Sequence, residues 1–505
     1  MWLALDGDGP LYRQAYRGLR AAILDGRLAP GERLPSSRVL ARDAKLARNT
    51  VLQAYEQLVA EGYAESRRGA GTFVAAELPA SRAQRAEGER SPSGGQAGEI
   101  RPTRVRASAA ASPPALSAYA ERAVRYFARG VTWARRRPAP RYDFRYGDPA
   151  YDDFPHATWC RLLARRARRA SERHLSYSDP GGAPELREAL ASYLSRARGV
   201  ACAPDDVLVV YGTQQAIDLT ARVLIDPGAR AIVEEPGYPG IRNALAIAGA
   251  EVIPLAVDAD GLDTDALAEQ GARLACVTPS HQFPTGGVLP LARRLALLAW
   301  AERVGAFVLE DDYDGEFRYD GRPLESLQAL DRSGRVLYAG TTSKVMFPAL
   351  RIGYLVMPPS LRAPLLAAKA FADTGTAHLE QRALADFIAQ GFFERHLRRA
   401  RVRNADRRRA LLAALARELG DDVEVVGANA GLHVVAWLRG VSPGELRVLR
   451  ELAARRDVGI HPISPFYTTR PRRAGILLGY AALDEPAIAE GVHRLALALR
   501  ELRSL

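Results

Sequence analysis

The lysines of this chain are few enough to be considered one by one. Its 505 residues include 70 basic residues, of which 67 are arginines and only three are lysines: Lys45, Lys344 and Lys369. A Schiff base with a carbonyl compound requires a primary amine, and arginine cannot supply one. Lys344 follows the short apolar run 336–338, so it lies where a buried strand is expected to end. Amine chemistry is therefore expected at Lys344.

Groups that bind anions lie near the ends of two predicted strands. The apolar run 207–211 is followed by a Gly-Thr-Gln-Gln segment that opens a helical pattern, and helix N-termini bind anions. Thr341 and Ser343 add hydroxyl groups just before Lys344, and an arginine follows it by seven positions, which adds a fork of N–H donors. The candidate anion-binding residues are Gly212, Thr213, Gln214, Thr341, Ser343 and Arg351.

A third strand ends in carboxylates and a phenol, within the segment Glu310-Asp311-Asp312-Tyr313. An amine, an anion site, a carboxylate and a phenol are together the groups that pyridoxal 5′-phosphate requires. The amine forms the imine, the carboxylate keeps the ring nitrogen protonated, and the phenol binds the ring oxygen. We therefore predict Lys344, Asp311 and Tyr313 as the reactive groups of a pyridoxal-phosphate site.

The elements that position these groups have the pattern of an α/β domain. Apolar runs of strand length alternate with helical patterns, as expected for buried parallel strands joined by helices. No Gly-x-Gly-x-x-Gly segment follows any of these runs, which argues against a dinucleotide site. The predicted strands cover 207–211, 231–234, 274–278, 306–309 and 336–338.

The first 75 residues have a different pattern, that of short helices followed by a hairpin. Apolar residues recur every four positions over 11–23, and Ser36 is a candidate N-cap for a second short helix. Strands are predicted at 63–66 and 72–74, around a basic, glycine-rich tip. The order of elements predicts a helix-turn-helix with a wing. Its last helix should turn inward Val51, Ala54, Tyr55, Leu58 and Val59.

The stretch from Leu34 to Val74, LPSSRVLARDAKLARNTVLQAYEQLVAEGYAESRRGAGTFV, resembles the winged helix of GntR-type transcription regulators. In such domains the second helix of the motif enters the major groove of DNA and presents its first turn to the bases. The resemblance implies DNA contacts from this turn, from the preceding helix and from the wing. The corresponding residues are Arg38, Arg48, Asn49, Thr50, Arg67, Arg68 and Gly69.

Segments from about Tyr142 to Ala487 resemble the aminotransferases of fold type I, with a large, mostly parallel sheet and a smaller C-terminal α+β part. The resemblance implies that Lys344 forms the Schiff base, that Asp311 pairs with the ring nitrogen and that Tyr313 binds the ring oxygen. It also implies that Tyr238 stacks on the ring. Tyr177 would reach the phosphate from a neighbouring subunit, and this implies a homodimer.

Two motifs depart from that family. Where such aminotransferases usually read NPTG, this chain reads SHQFPTG, so Phe283 replaces the asparagine that supports the ring oxygen. Where an arginine usually binds the carboxylate of the amino acid, the segment GILLGYA has Leu477. The nearby arginines that are candidates to replace this carboxylate clamp are Arg470, Arg472 and Arg473.

Three regions are expected: a DNA-binding domain at 1–75, a linker at 76–115 and an aminotransferase-like domain at 116–505. The linker is rich in Pro, Gly, Ser and charge and lacks apolar periodicity. Within the last region we expect a large part at about 170–368 and a small part at about 369–505 that includes the segment before 170.

This domain order resembles the MocR-type regulators, the GabR-like branch of the GntR group. It implies a homodimer that binds operator repeats in double-stranded DNA and senses an amino compound, or pyridoxal phosphate itself, through aldimine exchange at Lys344. One alternative is a working aminotransferase that carries a DNA-binding domain. Another is a module that has lost its cofactor and serves only as a dimerisation platform.

Composition limits the other classes of protein. Cys160, Cys202 and Cys276 lie far apart, which argues against a disulfide framework and a thiolate metal site; no metal is expected. No signal peptide is visible at the start, and no uncharged apolar stretch approaches the roughly 18 residues of a membrane span. A cytoplasmic protein is expected. The formal charge of +12 favours an anionic partner without locating its site.

Overall fold

A computed structural model describes residues 3–67, 69–76, 115–128, 139–268, 270–319 and 325–505. The chain divides into two compact units, Met1–Ser112 and Pro113–Leu505. The predicted linker at 76–115 lies outside the described residues, apart from Ala76 and Ala115. Within the described ranges, no helix is long and apolar enough to cross a membrane.

The first unit is a helix-turn-helix followed by a wing. The Ser36 hydroxyl accepts a hydrogen bond from the Val39 N–H and so confirms the predicted N-cap. Lys45 adopts a left-handed conformation (φ 54°) and ends the second helix in a tight turn. Val59, which was expected to face inward, is exposed, so that prediction was wrong. The elements are α1 (Leu11–Leu24), α2 (Ser37–Ala44), α3 (Arg48–Ala60), β1 (Ala64–Arg67) and β2 (Gly71–Val74).

The second unit begins with α4 (Ala118–Ala128), β3 (Tyr142–Asp143), α5 (His156–Arg168), α6 (Glu172–Leu175), α7 (Pro184–Arg198), β4 (Val207–Val210), α8 (Thr213–Leu224), β5 (Arg230–Glu235), α9 (Pro239–Ala248), β6 (Glu251–Asp258), β7 (Gly261–Leu262) and β8 (Leu274–Val277). It continues with α10 (Leu291–Val304), β9 (Phe307–Asp312), α11 (Leu327–Leu330), β10 (Val336–Thr341), β11 (Gly353–Val356), α12 (Arg362–Asp373), α13 (His378–Ala389) and α14 (Phe392–Glu418). It ends with β12 (Val423–Val426), β13 (His433–Leu438), α15 (Leu446–Arg455), β14 (Val458–Gly459), β15 (His461–Pro462), β16 (Gly475–Gly479) and α16 (Glu485–Ser504).

An eight-stranded mixed sheet forms the centre of this unit, in the order β4-β11-β10-β9-β8-β5-β6-β7. Strands β10, β9, β8, β5 and β6 are parallel, whereas β11 runs antiparallel to both β10 and β4. The prediction of a mostly parallel sheet is confirmed. Since parallel strands end at the same edge, the segments after β4, β5, β8, β9 and β10 converge there.

A second, antiparallel sheet has the order β12-β13-β16-β15. It packs with α14, α15 and α16 around a separate apolar core that includes Val434, Ile476 and Leu495. The segment before the large sheet joins this part, because β3 pairs with β14. Phe144, one residue beyond β3, is buried in the same core. Three residues beyond Phe144, the carbonyl oxygen of Gly147 accepts a hydrogen bond from Lys344, which follows β10 of the large sheet.

Candidate functional site

The Lys344 amine lies just beyond the end of β10. Its Nζ donates a hydrogen bond of 2.9 Å to the carbonyl oxygen of Gly147. Gly147 has φ 80°, a conformation in which other residues are strained, and a Cβ atom there would lie 2.6 Å from this nitrogen. Burial lowers the pKa of Lys344, against the opposing charges of Asp148, Asp314 and Asp311. A larger fraction of this amine is therefore uncharged, the form that attacks carbonyl carbon.

Asp311 and Asp312 are neighbours at the end of β9. Adjacent side chains of a strand point to opposite faces of the sheet, so the two carboxylates have different partners. Asp312 binds the Arg198 guanidinium at 2.6 Å and accepts a 2.5 Å hydrogen bond from the Tyr338 hydroxyl. Asp311 is buried, and its Oδ1 has no hydrogen-bond partner among the described residues. Burial, with the charge of Asp312 next, raises the pKa of Asp311 to about 8. A nearby cation or N–H donor would stabilise its ionised form.

The Tyr313 hydroxyl lies 2.9 Å from Nδ1 of His281, a residue of the SHQFPTG segment. Burial, with the charges of Asp314 and Asp311, raises the pKa of Tyr313 well above its ordinary value. The phenol therefore keeps its proton and remains able to donate a hydrogen bond.

The predicted anion-binding residues come together where β4, β10 and β11 meet. Gly212 (φ 77°) is the N-cap of α8, and a Cβ there would lie 2.9 Å from Nη2 of Arg351. Arg351 is itself held at φ 53°, and its Nη2 donates a 2.6 Å hydrogen bond to the Tyr211 carbonyl. The Thr341 hydroxyl donates to that of Ser343 at 3.0 Å. Thr213 Oγ1 and Gln214 Oε1 are buried without a hydrogen-bond partner in the described part of the chain.

Aromatic side chains form the wall beside these groups. Phe283 packs edge to face against Tyr238, Tyr313 and Phe466, with ring centroids 5.9, 5.6 and 5.1 Å apart. Leu477 is fully buried in the same apolar cluster. The two positions that depart from the aminotransferase motifs thus lie in one apolar wall.

The surface expected to bind DNA is exposed. Arg38, Arg48 and Asn49 are exposed, and Nε of Arg48 donates to the Ser37 hydroxyl at 3.4 Å. Thr50 is half-buried one residue further along the first turn of α3.

In the wing, the Arg67 guanidinium lies 4.6 Å from the Phe73 ring centroid and 3.9 Å from Glu65. Gly69 (φ 77°) turns the exposed tip. Arg68 lies outside the described residues.

Comparison with known families assigns both units. Residues 143–495 match the family "Aminotransferase class I and II", and residues 11–74 match "Bacterial regulatory proteins, gntR family". The chain is 41% identical over 505 residues to the probable rhizopine catabolism regulatory protein MocR of Rhizobium meliloti, with 99% of this chain and 96% of that protein covered. The chain belongs to the MocR-type branch of the GntR regulators.

Two further comparisons agree with this family. The chain is 34% identical over 505 residues to the transcriptional regulator TauR of Rhodobacter capsulatus, covering 99% of this chain and 98% of that one. The structure of α-aminoadipate aminotransferase from Thermus thermophilus, solved with N-(5′-phosphopyridoxyl)-L-leucine, is 33% identical. The match covers 72% of this chain and 93% of the Thermus chain, with a TM-score of 0.66. The protein is thus a transcriptional regulator that depends on pyridoxal 5′-phosphate.

The site fits this cofactor. The unpartnered oxygen of Asp311 is the acceptor that a protonated ring nitrogen needs, and the free hydroxyl of Thr213 lies at a helix N-terminus suited to a phosphate. Arg351 lies beside Gly212 and adds guanidinium N–H donors at the same place.

Other predicted site residues are exposed to solvent. Tyr177 is 92% exposed. Arg470, Arg472 and Arg473 are all exposed, and Arg473 is paired with Glu424 at 2.5 Å.

Sequence reasoning overlooked His281, Asp314 and Gly147. The signal for the first two was present, because SHQFPTG and EDDYDGEFRY each contain one of them. Only the fold shows that these two segments meet.

Proposed function

We propose that the protein is a homodimeric, DNA-binding regulator that senses an amino compound, or pyridoxal 5′-phosphate itself, at Lys344. One observation carries this proposal: the half-buried Lys344 amine lies near Asp311, whose Oδ1 has no hydrogen-bond partner among the described residues, in a chain whose other unit is a winged helix.

Each side chain of the site has a distinct role in this proposal. When bound, pyridoxal phosphate supplies an aldehyde carbon that condenses with primary amines. Asp311 holds the proton at the ring nitrogen, and Tyr313 donates a hydrogen bond to the ring oxygen. Tyr238 stacks on the ring, and the phosphate is bound by Gly212, Thr213, Gln214, Thr341, Ser343 and Arg351.

An effector amine competes with Lys344 for the same carbon atom. A Lys344 side chain displaced by the effector would stand as a free amine near Asp148, Asp311 and Asp314. This redistribution of charge regulates the promoter only if the two states favour different placements of the winged helices, because a ligand shifts an equilibrium only through differential affinity.

DNA recognition is proposed for the exposed first turn of α3, with Arg48 and Asn49 reading base edges and Thr50 contacting the backbone. Arg38, Arg67, Arg68 and Gly69 are proposed to contact the phosphates on either side. Two such domains in a dimer would bind two repeats of an operator.

An exposed apolar surface supports the proposed dimer. Leu175 and Tyr177 are 77% and 92% exposed, and Phe371 of α12 is 94% exposed. The segment that follows Tyr177 lies beside α12, since a Cβ at Gly181 would lie 3.6 Å from Leu366. Apolar exposure of this extent is typical of a surface that a partner covers, and Tyr177 would then reach the partner's site.

The proposal is tested with the full-length protein, its own promoter fragment and a reporter gene. The probes are pyridoxal 5′-phosphate, ethanolamine, L-alanine and L-aspartate, added to wild type, Lys344→Ala and Arg48→Ala. We expect Lys344→Ala to bind the promoter without any response to these compounds. We expect Arg48→Ala to keep the visible spectrum of the cofactor and to lose promoter affinity by about 1–3 kcal/mol. Effector-dependent control that survives Lys344→Ala would contradict the proposed sensing mechanism.

Aminotransferase activity is the second candidate, because Lys344, Asp311 and Tyr313 are brought together in one site. With the cofactor and an amino donor bound, the free Lys344 amine would act as the general base that moves a proton. Sustained turnover with a panel of amino donors and keto acids, at the 1–10³ s⁻¹ that is common for enzymes, would favour this function. A single half-reaction without turnover would favour the regulator.

A further inference from the structure

His281 lies at the meeting point of three segments that are distant in the chain. It belongs to the loop after β8, while Tyr313 and Asp314 follow β9 and His433 begins β13. Its Nδ1 is 2.9 Å from the Tyr313 hydroxyl and 3.0 Å from Oδ2 of Asp314. The side chains of His281 and Asp314 are each only 2% exposed. These three side chains form a Tyr-His-Asp cluster in which the roles proposed above use Tyr313 but leave His281 without a function.

Asp314 determines which ring nitrogen of His281 carries the proton. Both carboxylate oxygens lie within 3.2 Å of Nδ1, so an unprotonated Nδ1 would place its lone pair against a carboxylate. The tautomer with a proton on Nδ1 avoids this repulsion and donates to Asp314. The same N–H group faces the Tyr313 oxygen, which thus acts as an acceptor. The phenol's own proton is then left for another acceptor: the Asp314 carboxylate is one within reach, and the ring oxygen of a bound cofactor would be another.

The neighbouring histidine has a different role. The Nε2 atom of His433 lies 3.0 Å from the carbonyl oxygen of Pro284 and donates to it. Burial and the charge of His281 lower the pKa of His433 to about 4, so it stays neutral. Burial also lowers the pKa of His281, but Asp314 outweighs this effect and the net direction is upward, with Arg318 opposing. Asp314, Arg318, His433 and Tyr313 are thus the titratable and charged groups that face His281.

Two glycines make room for this cluster. A Cβ at Gly431 (φ 79°) would lie 2.3 Å from Cε1 of His281 and 2.5 Å from Oδ2 of Asp314. A Cβ at Gly286 (φ 78°) would lie 3.0 Å from Nε2 of His281. A side chain at Gly431 would therefore displace the imidazole. The absence of side chains at these two glycines allows His281 to keep its orientation.

We propose that His281, fixed by Asp314, is the positioning residue that turns the Tyr313 phenol into a hydrogen-bond donor toward the ring oxygen of the cofactor. By the resemblance to the NPTG motif, Phe283 takes the place of an asparagine that would support the same oxygen, and a phenyl ring has no donor to offer. Hydrogen-bond donation to the ring oxygen then depends on Tyr313, and His281 acts on it through Tyr313. This inference rests on the role proposed for Tyr313.

The test is a spectroscopic pH titration of the purified, cofactor-loaded, full-length protein. A donor at the ring oxygen withdraws negative charge from it and weakens its hold on the imine proton. Loss of that donor should therefore raise the pKa read from the visible band. We expect His281→Leu to raise it by about one unit, a tenfold change in proton affinity. His281→Asn, whose amide nitrogen replaces Nδ1, should restore most of the wild-type value.

A double variant distinguishes positioning through Tyr313 from any other effect. Tyr313→Phe should raise the pKa read from the visible band at least as much as His281→Leu does. In the Tyr313→Phe background, His281→Leu should then produce no further shift, because the group through which it acts is gone. His433→Gln is the matched control: a buried histidine of the same cluster that does not bond to Tyr313, and it should leave the titration unchanged.

Three outcomes would overturn the proposal. The first is an unchanged pKa of the visible band in a His281→Leu protein that still shows the wild-type thermal transition. The second is a full rise of this pKa when His281→Leu is added to Tyr313→Phe. The third is a rise of equal size in His433→Gln. If His281→Leu does not fold, His281→Asn and Asp314→Asn provide the same comparison, and an unshifted band in Asp314→Asn would likewise overturn it. A wild-type protein with no visible band at all would overturn both this inference and the proposed function.

Discussion

The Lys369 side chain is fully buried and Lys344 is half-buried, and the groups around their nitrogen atoms differ. Nζ of Lys369 lies 2.7 and 2.6 Å from the two carboxylate oxygens of Asp373 and 2.9 Å from the Thr376 hydroxyl. Within the described part of the chain, Nζ of Lys344 has a hydrogen bond only to the Gly147 carbonyl. Burial lowers the pKa of both amines, but at Lys369 the hydrogen bond and charge of Asp373 oppose it directly. Burial alone therefore does not make a lysine reactive; the amine must also lack a committed counter-ion.

The ion pair of Lys369 and Asp373 also contacts residues that flank the proposed anion site. Asp373 accepts a 2.7 Å hydrogen bond from the Gln215 amide, and the Lys369 ammonium lies 5.5 Å from the Tyr211 ring centroid. Tyr211 and Gln215 flank the segment 212–214 that starts α8. One lysine thus stabilises the scaffold of the anion site, while the other is left available for chemistry.

The largest expected effect is at Lys344. We expect Lys344→Ala to abolish the covalent linkage to the cofactor, so that borohydride treatment traps none of it on the protein. The thermal midpoint without cofactor should not fall, since the substitution removes a desolvated amine and breaks a single hydrogen bond. The measurements are mass spectrometry after reduction and a thermal melt. A marked loss of stability would mean that Lys344 is structural, and the contrast with Lys369 would disappear.

The second effect is at Lys369, where stability should fall while chemistry remains. We expect Lys369→Met to lower the free energy of unfolding by about 3 kcal/mol, because it leaves the Asp373 carboxylate without its ion-pair partner. The cofactor should still be trapped at Lys344. Lys369→Met combined with Asp373→Leu should recover part of the loss. Denaturant titration is the measurement, and an unchanged midpoint in the single variant would contradict the assigned role.

A smaller effect, with the opposite sign, is expected at Asp311. Its pKa is raised to about 8 in the folded chain, from an ordinary value of 3.8. Between these two values the unfolded chain has lost the proton and the folded chain keeps it, so rising pH destabilises the cofactor-free fold. We expect Asp311→Asn to stabilise the cofactor-free protein by at least about 1 kcal/mol at pH 8, and by less at pH 5.

The same substitution should weaken cofactor binding, because a neutral amide cannot stabilise the protonated ring nitrogen. The measurements are thermal melts at the two pH values and a pyridoxal-phosphate titration. A stabilised variant with unimpaired cofactor affinity would contradict the role of Asp311 at the ring nitrogen.

The sequence predicted Lys344, Asp311 and Tyr313 because each follows an apolar run, and the ends of parallel strands necessarily meet. It also predicted the cap at Ser36, since N-capping is decided within three residues. The relation of His281 to Asp314 could not be found this way. They are 33 residues apart in loops whose paths depend on packing against β13.

Lys369 escaped notice for a different reason. Its partner Asp373 is four residues away on α12, and this spacing is common for ion pairs on exposed helix surfaces. Only the structure shows that the lysine side chain is fully buried. The error at Val59 is of the same kind, since the helical period alone does not tell how wide the buried face of α3 is.

The scarcity of lysine makes this chain unusually easy to follow with amine-reactive reagents. Besides the N-terminus, only three side chains react in principle, and Lys369 is protected by burial and its ion pair. Lys45 is exposed in the turn between α2 and α3, and Lys344 lies in the cofactor site. A single acylation experiment therefore reports on DNA binding and on cofactor binding separately. DNA should protect Lys45 from acylation, and the cofactor should protect Lys344.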